Sequence, residues 1–144
     1  MNLTSTLEIL SSFIPKVEGF SASPYWDYKQ WSWGYGTACG FDKNKKPQGT
    51  ITREDALKEA EKHYVNDFTI LASKVKVELQ PWQWAALLSF SYNEGVGNAQ
   101  KLLSDINSKS VALEAHWKKY IYAGGKVNKE LIARRNKEWF LWTT

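Results

Sequence analysis

The chain has 144 residues, of which 43% are hydrophobic and 24% charged, with a formal net charge of +4 and eight tryptophans. This length and composition indicate one globular domain and exclude a disordered segment. No apolar run approaches the roughly 20 residues of a membrane span, and residues 1–6 have neither the basic nor the apolar region of a secretory signal.

The charge pattern and the scarce metal-binding residues narrow the possible ligands. An excess of lysine favours anionic polymers, but the lysines are scattered, which argues against a dedicated nucleic-acid site. Cys39 is the single cysteine, so no internal disulfide can form, and a packing role is favoured over a nucleophilic one. Four ligands at metal-like spacing are absent, so we predict neither a metal nor another cofactor.

The first predicted element is a helix over residues 5–17, because apolar residues recur there at helical spacing. Ser5 and Glu8 have the spacing of a capping box at its start. Pro15 is expected to end or kink the helix near Ile14. Glu18 then follows directly.

Residues 24–37 are predicted to form a hairpin or small sheet, since aromatic and small residues alternate from Trp31 to Gly36. Residues 38–51 contain glycine, proline, asparagine and three lysines, which predicts a polar loop with a short strand ending at residues 50–51.

The rest of the chain is predicted to be helical. A long helix over residues 53–75 begins with a Thr52–Asp55 start signal. A helix over residues 81–93 has Pro81 at its first position and is apolar almost all round, which predicts a central, buried helix. Further helices are predicted over the ranges 98–107, 110–122 and 129–142, with Gly124 and Gly125 as a break and Asn128 as the last cap.

Two carboxylates, Glu18 and Asp27, are the candidate catalytic groups. Glycoside hydrolysis needs one carboxylic acid to protonate the leaving oxygen and one carboxylate to activate water or stabilise charge on the sugar. A helix C-terminus and the apolar neighbours Val17 and Phe20 would raise the pKa of Glu18, as a general acid requires. The spacing alone favours two ordinary surface acids, because most pairs of acids nine residues apart are of that kind.

The motifs around these carboxylates resemble those of the phage-type lysozymes. Glu18-Gly19, Asp27 and the segment Ser32-Trp33-Gly34-Tyr35-Gly36 follow that family's order of helix-end Glu-Gly, hairpin Asp and Thr-Ile-Gly-Tyr-Gly. The resemblance continues through Ser89-Phe90-Ser91-Tyr92-Asn93-Glu94-Gly95 and through Trp117, Gly124-Gly125, Arg134-Arg135 and Glu138, so it covers nearly the whole chain. The arginine pair is expected to form ion pairs that tie the last helix back.

The resemblance implies an α+β, lysozyme-like fold. It implies a single catalytic domain over residues 1–144, with a small β lobe at about 18–51. The larger helical lobe is expected at about 52–144 together with the N-terminal helix, and the active-site cleft between the two lobes.

By the same resemblance, Glu18 is the general acid, Asp27 the base or charge stabiliser, and Ser32 the residue that holds the attacking water. The implied sugar contacts are Trp31, Trp33, Tyr35, Tyr92 and Asn93; for Asn93 a helix C-cap is an equal alternative. Ser32 stands where the family usually has Thr, one residue nearer to the aspartate than expected, and its hydroxyl lacks the methyl group that restricts rotation. Thr37 is an alternative hydroxyl, but Ser32 is in register with the two glycines.

The function implied is a muramidase that cleaves the β-1,4 bond between N-acetylmuramic acid and N-acetylglucosamine during lysis of a bacterial host by a phage. Such a protein is expected to be a monomer that acts on peptidoglycan strands, without nucleic acid or stable membrane insertion. It would be made in the host cytoplasm and reach the wall in the periplasm after holin-type release. The alternatives are a virion- or tail-associated lysozyme, a lytic transglycosylase and a non-catalytic peptidoglycan-binding module.

Overall fold

A computed structural model describes residues 3–144 of the chain. Its elements, in chain order, are α1 (Leu3–Val17), β1 (Ser21–Asp27), β2 (Gln30–Gly34), β3 (Thr37–Gly40), α2 (Arg53–Ala72), α3 (Pro81–Glu94), α4 (Val96–Ser108), α5 (Leu113–Lys118), β4 (Tyr122–Ala123), β5 (Lys126–Val127) and α6 (Lys129–Trp142). The first three strands form an antiparallel sheet in sequence order, and β4 pairs with β5. The predicted α+β class is confirmed.

The chain divides into two compact units. We call Ser11–His63 the sheet unit, and Met1–Leu10 with Tyr64–Thr144, described from residue 3 onward, the helical unit. The boundaries fall inside α1 and α2, so each of these helices contributes to both units. Within residues 3–144, no helix has the length and apolarity that crossing a bilayer requires.

Helix α1 departs from its prediction at its start but ends at the predicted residue, Val17. It begins at Leu3, so Ser5 lies inside the helix and the predicted capping box is wrong. It also continues through Pro15 to Val17, and the N–H of Glu18 donates to the Ile14 carbonyl at 2.8 Å. Pro15 forfeits one backbone hydrogen bond in the last turn, where few further bonds remain to be lost. Residues 1 and 2, part of the segment assessed for a signal, lie outside the described residues.

The predicted hairpin is confirmed and is part of a three-stranded sheet. Asp27 pairs with Gln30 across a two-residue turn, in which Tyr28 has a φ of +21°. The added strand β3 lies in a segment predicted to be loop, and the strand predicted to end at residues 50–51 is wrong. The N–H of Ile51 donates to the Ala22 carbonyl at 2.9 Å, but one hydrogen bond does not make a ladder.

The sheet packs closely on the first half of α2. A Cβ placed on Gly34, whose φ is +61°, would lie 2.9 Å from the Cβ of Ala56, so no larger residue fits without a shift. Glu59 Oε2 accepts hydrogen bonds from Trp33 Nε1 at 3.2 Å and from Thr37 Oγ1 at 2.8 Å. Thr52 Oγ1 accepts from the N–H of Asp55 at 3.1 Å, which confirms the predicted start signal of α2.

The helical unit is built around α3. Its residues from Trp84 to Ser91 are all buried, and α6 and α4 pack against it, so the predicted central helix beginning at Pro81 is confirmed. The helices α2 and α5 are shorter than predicted, and the segment after α5 forms the β4–β5 hairpin. Its turn residues Gly124 and Gly125 have φ values of +58° and +79°, which suit a two-residue hairpin turn.

A buried carboxylate, Glu138, joins α6 to α3. It is 0% exposed and accepts hydrogen bonds from Ser89 Oγ at 2.6 Å and Trp117 Nε1 at 3.2 Å. It also pairs with Arg134 Nε at 3.2 Å and Arg135 Nε at 2.9 Å, both on its own helix. Arg134 Nη2 donates in addition to the Ser89 carbonyl at 2.9 Å. The predicted role of the arginine pair in tying the last helix back is therefore confirmed.

The network continues from Arg135 to the end of α3. Its guanidinium donates to Asn93 Oδ1 at 2.5 Å and to Glu94 Oε1 at 3.2 Å. Burial raises the pKa of Glu94; the charge of Arg135 opposes that rise and the charge of Glu138 adds to it. Asn128 Oδ1 accepts from the N–H of Leu131 at 2.9 Å, which confirms the predicted cap of α6.

We expect Glu138→Ala to lower the free energy of unfolding by about 3–5 kcal/mol, because it leaves two buried guanidinium groups without their shared carboxylate. Urea unfolding followed by circular dichroism measures this change. The matched control is Glu114→Ala, which removes an exposed pair with Lys118 at 2.6 Å and is expected to cost less than about 1 kcal/mol. Equal losses in the two variants would contradict the assigned role of Glu138.

Candidate active site

Glu18 lies at the end of α1, as the sequence predicted. The residue is half-buried, and its backbone N–H closes the last turn of the helix. A Cβ placed on Gly36, whose φ is +91°, would lie 3.7 Å from Glu18 Oε2, so the carboxylate lies against the turn between β2 and β3. The expected rise in the pKa of Glu18 stays a prediction.

Asp27 is the last residue of β1 and is exposed at the entry to the hairpin turn. Its carbonyl accepts from the N–H of Lys29, so its backbone is held by the turn while its carboxylate faces solvent. The two candidate carboxylates thus differ in environment, one half-buried at a helix end and one exposed at a strand end. Glycoside hydrolysis requires such a difference.

Tyr25, which the sequence analysis missed, is influenced by the charges of both candidate carboxylates. Residues two apart on a strand share a face, so Tyr25 lies on the face of Asp27. Burial raises the pKa of the Tyr25 phenol above 10.0, and the charges of Asp27 and Glu18 raise it further. The side chain is 42% exposed, and at neutral pH its hydroxyl remains a hydrogen-bond donor. The Tyr25–Asp27 spacing on a predicted strand was the available signal.

Ser32 lies directly opposite Tyr25 on β2 and opposite Ala38 on β3. Opposed residues of an antiparallel pair share a face, so the register brings the Ser32 hydroxyl to the face of Tyr25 and Asp27. Ser32 is nevertheless 0% exposed, and its Oγ accepts a hydrogen bond from Gln30 Nε2 at 3.0 Å. Its role in holding water stays a prediction. The alternative hydroxyl, that of Thr37, donates to Glu59.

Trp31 and Trp33 lie on the opposite face of β2 from Ser32. Trp31 stacks edge-on against Trp26 with ring centroids 5.6 Å apart, and its Nε1 donates to the Asp42 carbonyl at 2.8 Å. Trp33 is directed to Glu59 on α2. The sheet therefore separates these two predicted sugar contacts from the face that carries Asp27, and alternation along the strand explains the separation.

The third aromatic of this motif, Tyr35, is 2% exposed and packs against Phe20 with ring centroids 5.4 Å apart. The structure places its ring in the core of the sheet unit. Its side chain offers a ligand almost no surface, and its packing fixes the turn that follows β2.

Tyr92 and Asn93 lie near the end of α3 in the helical unit, and both are half-buried. The ring of Tyr92 lies 5.0 Å from that of Tyr64, and Asn93 accepts from Arg135. The helix ends at Glu94, one residue beyond Asn93, and Gly95 at a φ of +92° is its C-cap, so the interpretation of Asn93 as the C-cap is wrong. Glycine adopts positive φ at little cost and takes that position. The predicted sugar contacts of Tyr92 and Asn93 stay predictions.

Cys39 lies on β3 and is half-buried. Burial raises the pKa of its thiol, and the charge of Glu59 adds to the rise. Thiolate is the nucleophilic form of cysteine, so a thiol held protonated is poorly suited to attack. The packing role predicted for Cys39 is consistent with this environment.

A helix-end glutamate, a hairpin aspartate and a small antiparallel sheet, together with a helical unit built on one central helix, are the features of a lysozyme-like protein. The chain belongs to the phage lysozyme family, which it matches over residues 15–138. That range contains Glu18, Asp27, Ser32 and the Arg134–Arg135 pair. The predicted family is confirmed.

The similar proteins agree with this assignment. The endolysin of Bacillus phage PZA is 31% identical over 125 residues, which cover 81% of this chain and 45% of that protein. The chain thus spans less than half the length of this relative.

Solved structures show the same fold. The muramidase domain of SpmX from Asticaccaulis excentricus superposes with a TM-score of 0.81 at 22% identity, over 94% of this chain and 95% of that one. A lysozyme variant of P22 superposes with a TM-score of 0.79 at 23% identity, over 94% and 96%. The predicted lysozyme-like fold is confirmed.

The Tyr25 phenol should titrate above 10.0, because burial and two carboxylates oppose its ionisation. The ultraviolet difference titration of wild type against Tyr25→Phe isolates its transition. Asp27→Asn should move that transition down, whereas Glu61→Gln, at an exposed position on α2, should leave it in place. If Asp27→Asn leaves the pH midpoint of the Tyr25 transition unchanged, the phenol and this carboxylate are not neighbours.

Proposed function

We propose that the chain is a muramidase that hydrolyses the β-1,4 bond between N-acetylmuramic acid and N-acetylglucosamine in peptidoglycan. The observation that carries the proposal is that Glu18, half-buried at the end of α1, and Asp27, exposed at the end of β1, both lie within the family match. Two carboxylates in such different environments suit acid-assisted cleavage of a glycosidic bond. Membership of the lysozyme family supports the substrate and the bond.

In this proposal Glu18 donates its proton to the glycosidic oxygen as the carbon–oxygen bond breaks. The helix C-terminus at which it lies is an unfavourable place for a negative charge, which supports its role as a proton donor. Asp27, which is exposed, stabilises the positive charge that develops on the sugar ring or activates the water that adds to it. The Tyr25 hydroxyl donates to a carboxylate or to the sugar and so orients the reacting groups.

Sugar binding is proposed for Tyr92 and Asn93, whose side chains are half-buried rather than fully enclosed. Asn93 is held by Arg135, which leaves its amide nitrogen as the group available to a sugar hydroxyl. Of the remaining sequence-predicted contacts, Trp31 and Trp33 face away from Asp27, and Tyr35 is a core residue. We therefore assign these three no substrate contact near the reacting bond.

We further propose that the chain acts in lysis of a bacterial host by a phage. The supporting fact is that its curated relative is the endolysin of a Bacillus phage. In this setting the chain is a monomeric catalytic domain that reaches the wall after holin-type release. A virion-associated lysozyme would have the same catalytic domain.

One observation favours a second candidate, a lytic transglycosylase. That reaction uses one acid and needs no held water, and the Ser32 hydroxyl, expected to hold water, has no exposed surface. The products separate the two reactions, because hydrolysis leaves reducing ends whereas transglycosylation leaves anhydromuramic ends.

Glu18→Gln should lower the rate of product release by a factor of about 10²–10⁴, because the amide cannot donate the catalytic proton. Mass spectrometry of fragments from purified peptidoglycan measures both rate and product type. Glu61→Gln, an exposed change on α2, is the matched control and should keep the wild-type rate. Reducing ends released by the wild type and the control, but not by Glu18→Gln, would support the proposal. Anhydromuramic ends would establish the transglycosylase, and wall binding without any products would establish a binding module.

Ser32→Ala tests the water-holding role separately. If the hydroxyl orders the attacking water, kcat should fall at least about tenfold with KM little changed, since the lost interaction belongs to the transition state. The loss of its bond with Gln30 should cost only about 1 kcal/mol of stability. Ser12→Ala, at an exposed position on α1, is the control. Near-normal kcat would remove Ser32 from the mechanism while leaving Glu18 and Asp27 in place.

A further inference from the structure

The face of the β1–β2 hairpin opposite Asp27 carries a second set of side chains, which we call the back face. Trp26 and Trp31 are direct cross-strand partners there, with an interplanar angle of 74° and centroids 5.6 Å apart. Both are half-buried. The catalytic proposal uses neither of them.

The loop after β3 is folded against this face. The Asp42 carbonyl accepts from Trp31 Nε1 at 2.8 Å and from the N–H of Lys45 at 3.0 Å, while Asp42 Oδ1 accepts from the N–H of Asn44 at 3.0 Å. A Cβ placed on Gly40 would lie 3.0 Å from Pro47 Cγ, so the far end of the loop is also packed against the sheet. The loop is therefore held as a turn with a defined position on Trp31.

This turn brings lysines to the two indoles. The ammonium of Lys43 lies 5.9 Å from the Trp26 ring centroid, and that of Lys46 lies 5.9 Å from the Trp31 ring centroid. Residues 41–49 contain three lysines and one aspartate, a local charge of +2 out of a chain total of +4. Both lysines are exposed to solvent, and their ammonium groups lie within the distance at which an indole ring attracts a cation.

A pocket of about 390 Å³ adjoins Lys46. Its lining is Ser23, Pro24, Lys46, Pro47, Gln48 and Gly49. The volume falls in the range of small-molecule sites, which begins at roughly 300 Å³. Hydroxyl, amide and backbone groups at its wall suit a polyol or sugar unit, and Lys46 at its edge suits an attached phosphate.

We propose that the back face, comprising Trp26, Trp31, Lys43, Lys46 and this pocket, binds a wall polymer of sugar or polyol units joined by phosphodiesters. The ammonium groups beside the two neighbouring indoles are complementary to the repeated negative charges of such a polymer. The pocket would take one uncharged sugar or polyol unit. A lipid surface is a poorer partner because the indoles are half-buried beneath ammonium groups and Trp31 has already donated its N–H. Single-stranded nucleic acid is poorer because the edge-on indoles offer no open stacking platform.

This surface is separate from the proposed catalytic groups and does not depend on their activity. Binding can therefore be measured on the full chain carrying Glu18→Gln, with purified poly(glycerol phosphate) as the probe. If the muramidase assignment failed, the binding result would still stand. If the polymer did not bind, the muramidase assignment would be unaffected.

The test compares Lys43→Gln/Lys46→Gln with Lys58→Gln/Lys62→Gln, which removes the same charge from exposed positions on α2. Calorimetric titration at low salt should show affinity falling about tenfold in the first variant and little change in the second. The slope of log affinity against log salt should also become shallower by about one to two in the first variant only. Circular dichroism verifies that both variants fold. Hydrolysis of phosphate-free peptidoglycan by the same lysine variants with the native Glu18 provides a second check.

Three results would overturn the proposal. One is equal affinity in the two double variants, which would mean that net charge alone drives binding. Another is equal or tighter binding of oligothymidylate of matched charge, which would indicate a nucleic-acid surface. The third is tighter binding of phosphatidylglycerol vesicles than of the polymer, which would indicate a membrane surface.

Discussion

The register of the β1–β2 hairpin is the constraint on which both proposed sites depend. Asp27 pairs with Gln30 across the two-residue turn, and alternation from that pair outward puts Tyr25 and Ser32 on the face of Asp27. A slip of one residue would exchange the two faces of the strand. The contact of Gly34 with Ala56 resists such a slip, because any other residue of β2 brought there would carry a side chain into α2.

The helical unit depends instead on compensated charge. Glu138 has no exposed surface, and four side chains supply it with hydrogen bonds or opposite charge. Glu94 is only partly compensated, since burial outweighs the charge of Arg135 and raises its pKa. A carboxyl whose pKa is raised on folding favours the fold below its unfolded pKa. That contribution fades as pH rises through the folded value.

Local chemistry explains which features were predictable. Helix starts were predicted correctly where the chemistry of one residue marks them, as at Thr52, Pro81 and Asn128. The burial of α3 was also predicted, because its composition is apolar on almost every side. Strand β3 was missed because it is four residues long and runs directly into a polar loop. Its pairing with β2 defines it, and the sequence does not show that pairing. Alternation along β2 predicts that Trp31 and Trp33 share the face opposite Ser32. Which of the two faces also carries Asp27 depends on the hairpin register, which the sequence does not show. Tyr25 was missed because the influence of Glu18 reaches it through space.

The order of the two units along the chain bears on how the protein forms during translation. The sheet unit lies within Ser11–His63, whereas the helical unit joins the first ten residues to those from Tyr64 onward. Ser89 and Trp117 obtain their buried carboxylate partner only when Glu138 has been synthesised. Until then α3 lacks the cover of α6, and apolar surface exposed in an incomplete chain favours misassociation. The sheet unit has all of its own residues much earlier, so the nascent chain passes through a stage with one unit complete and the other still open.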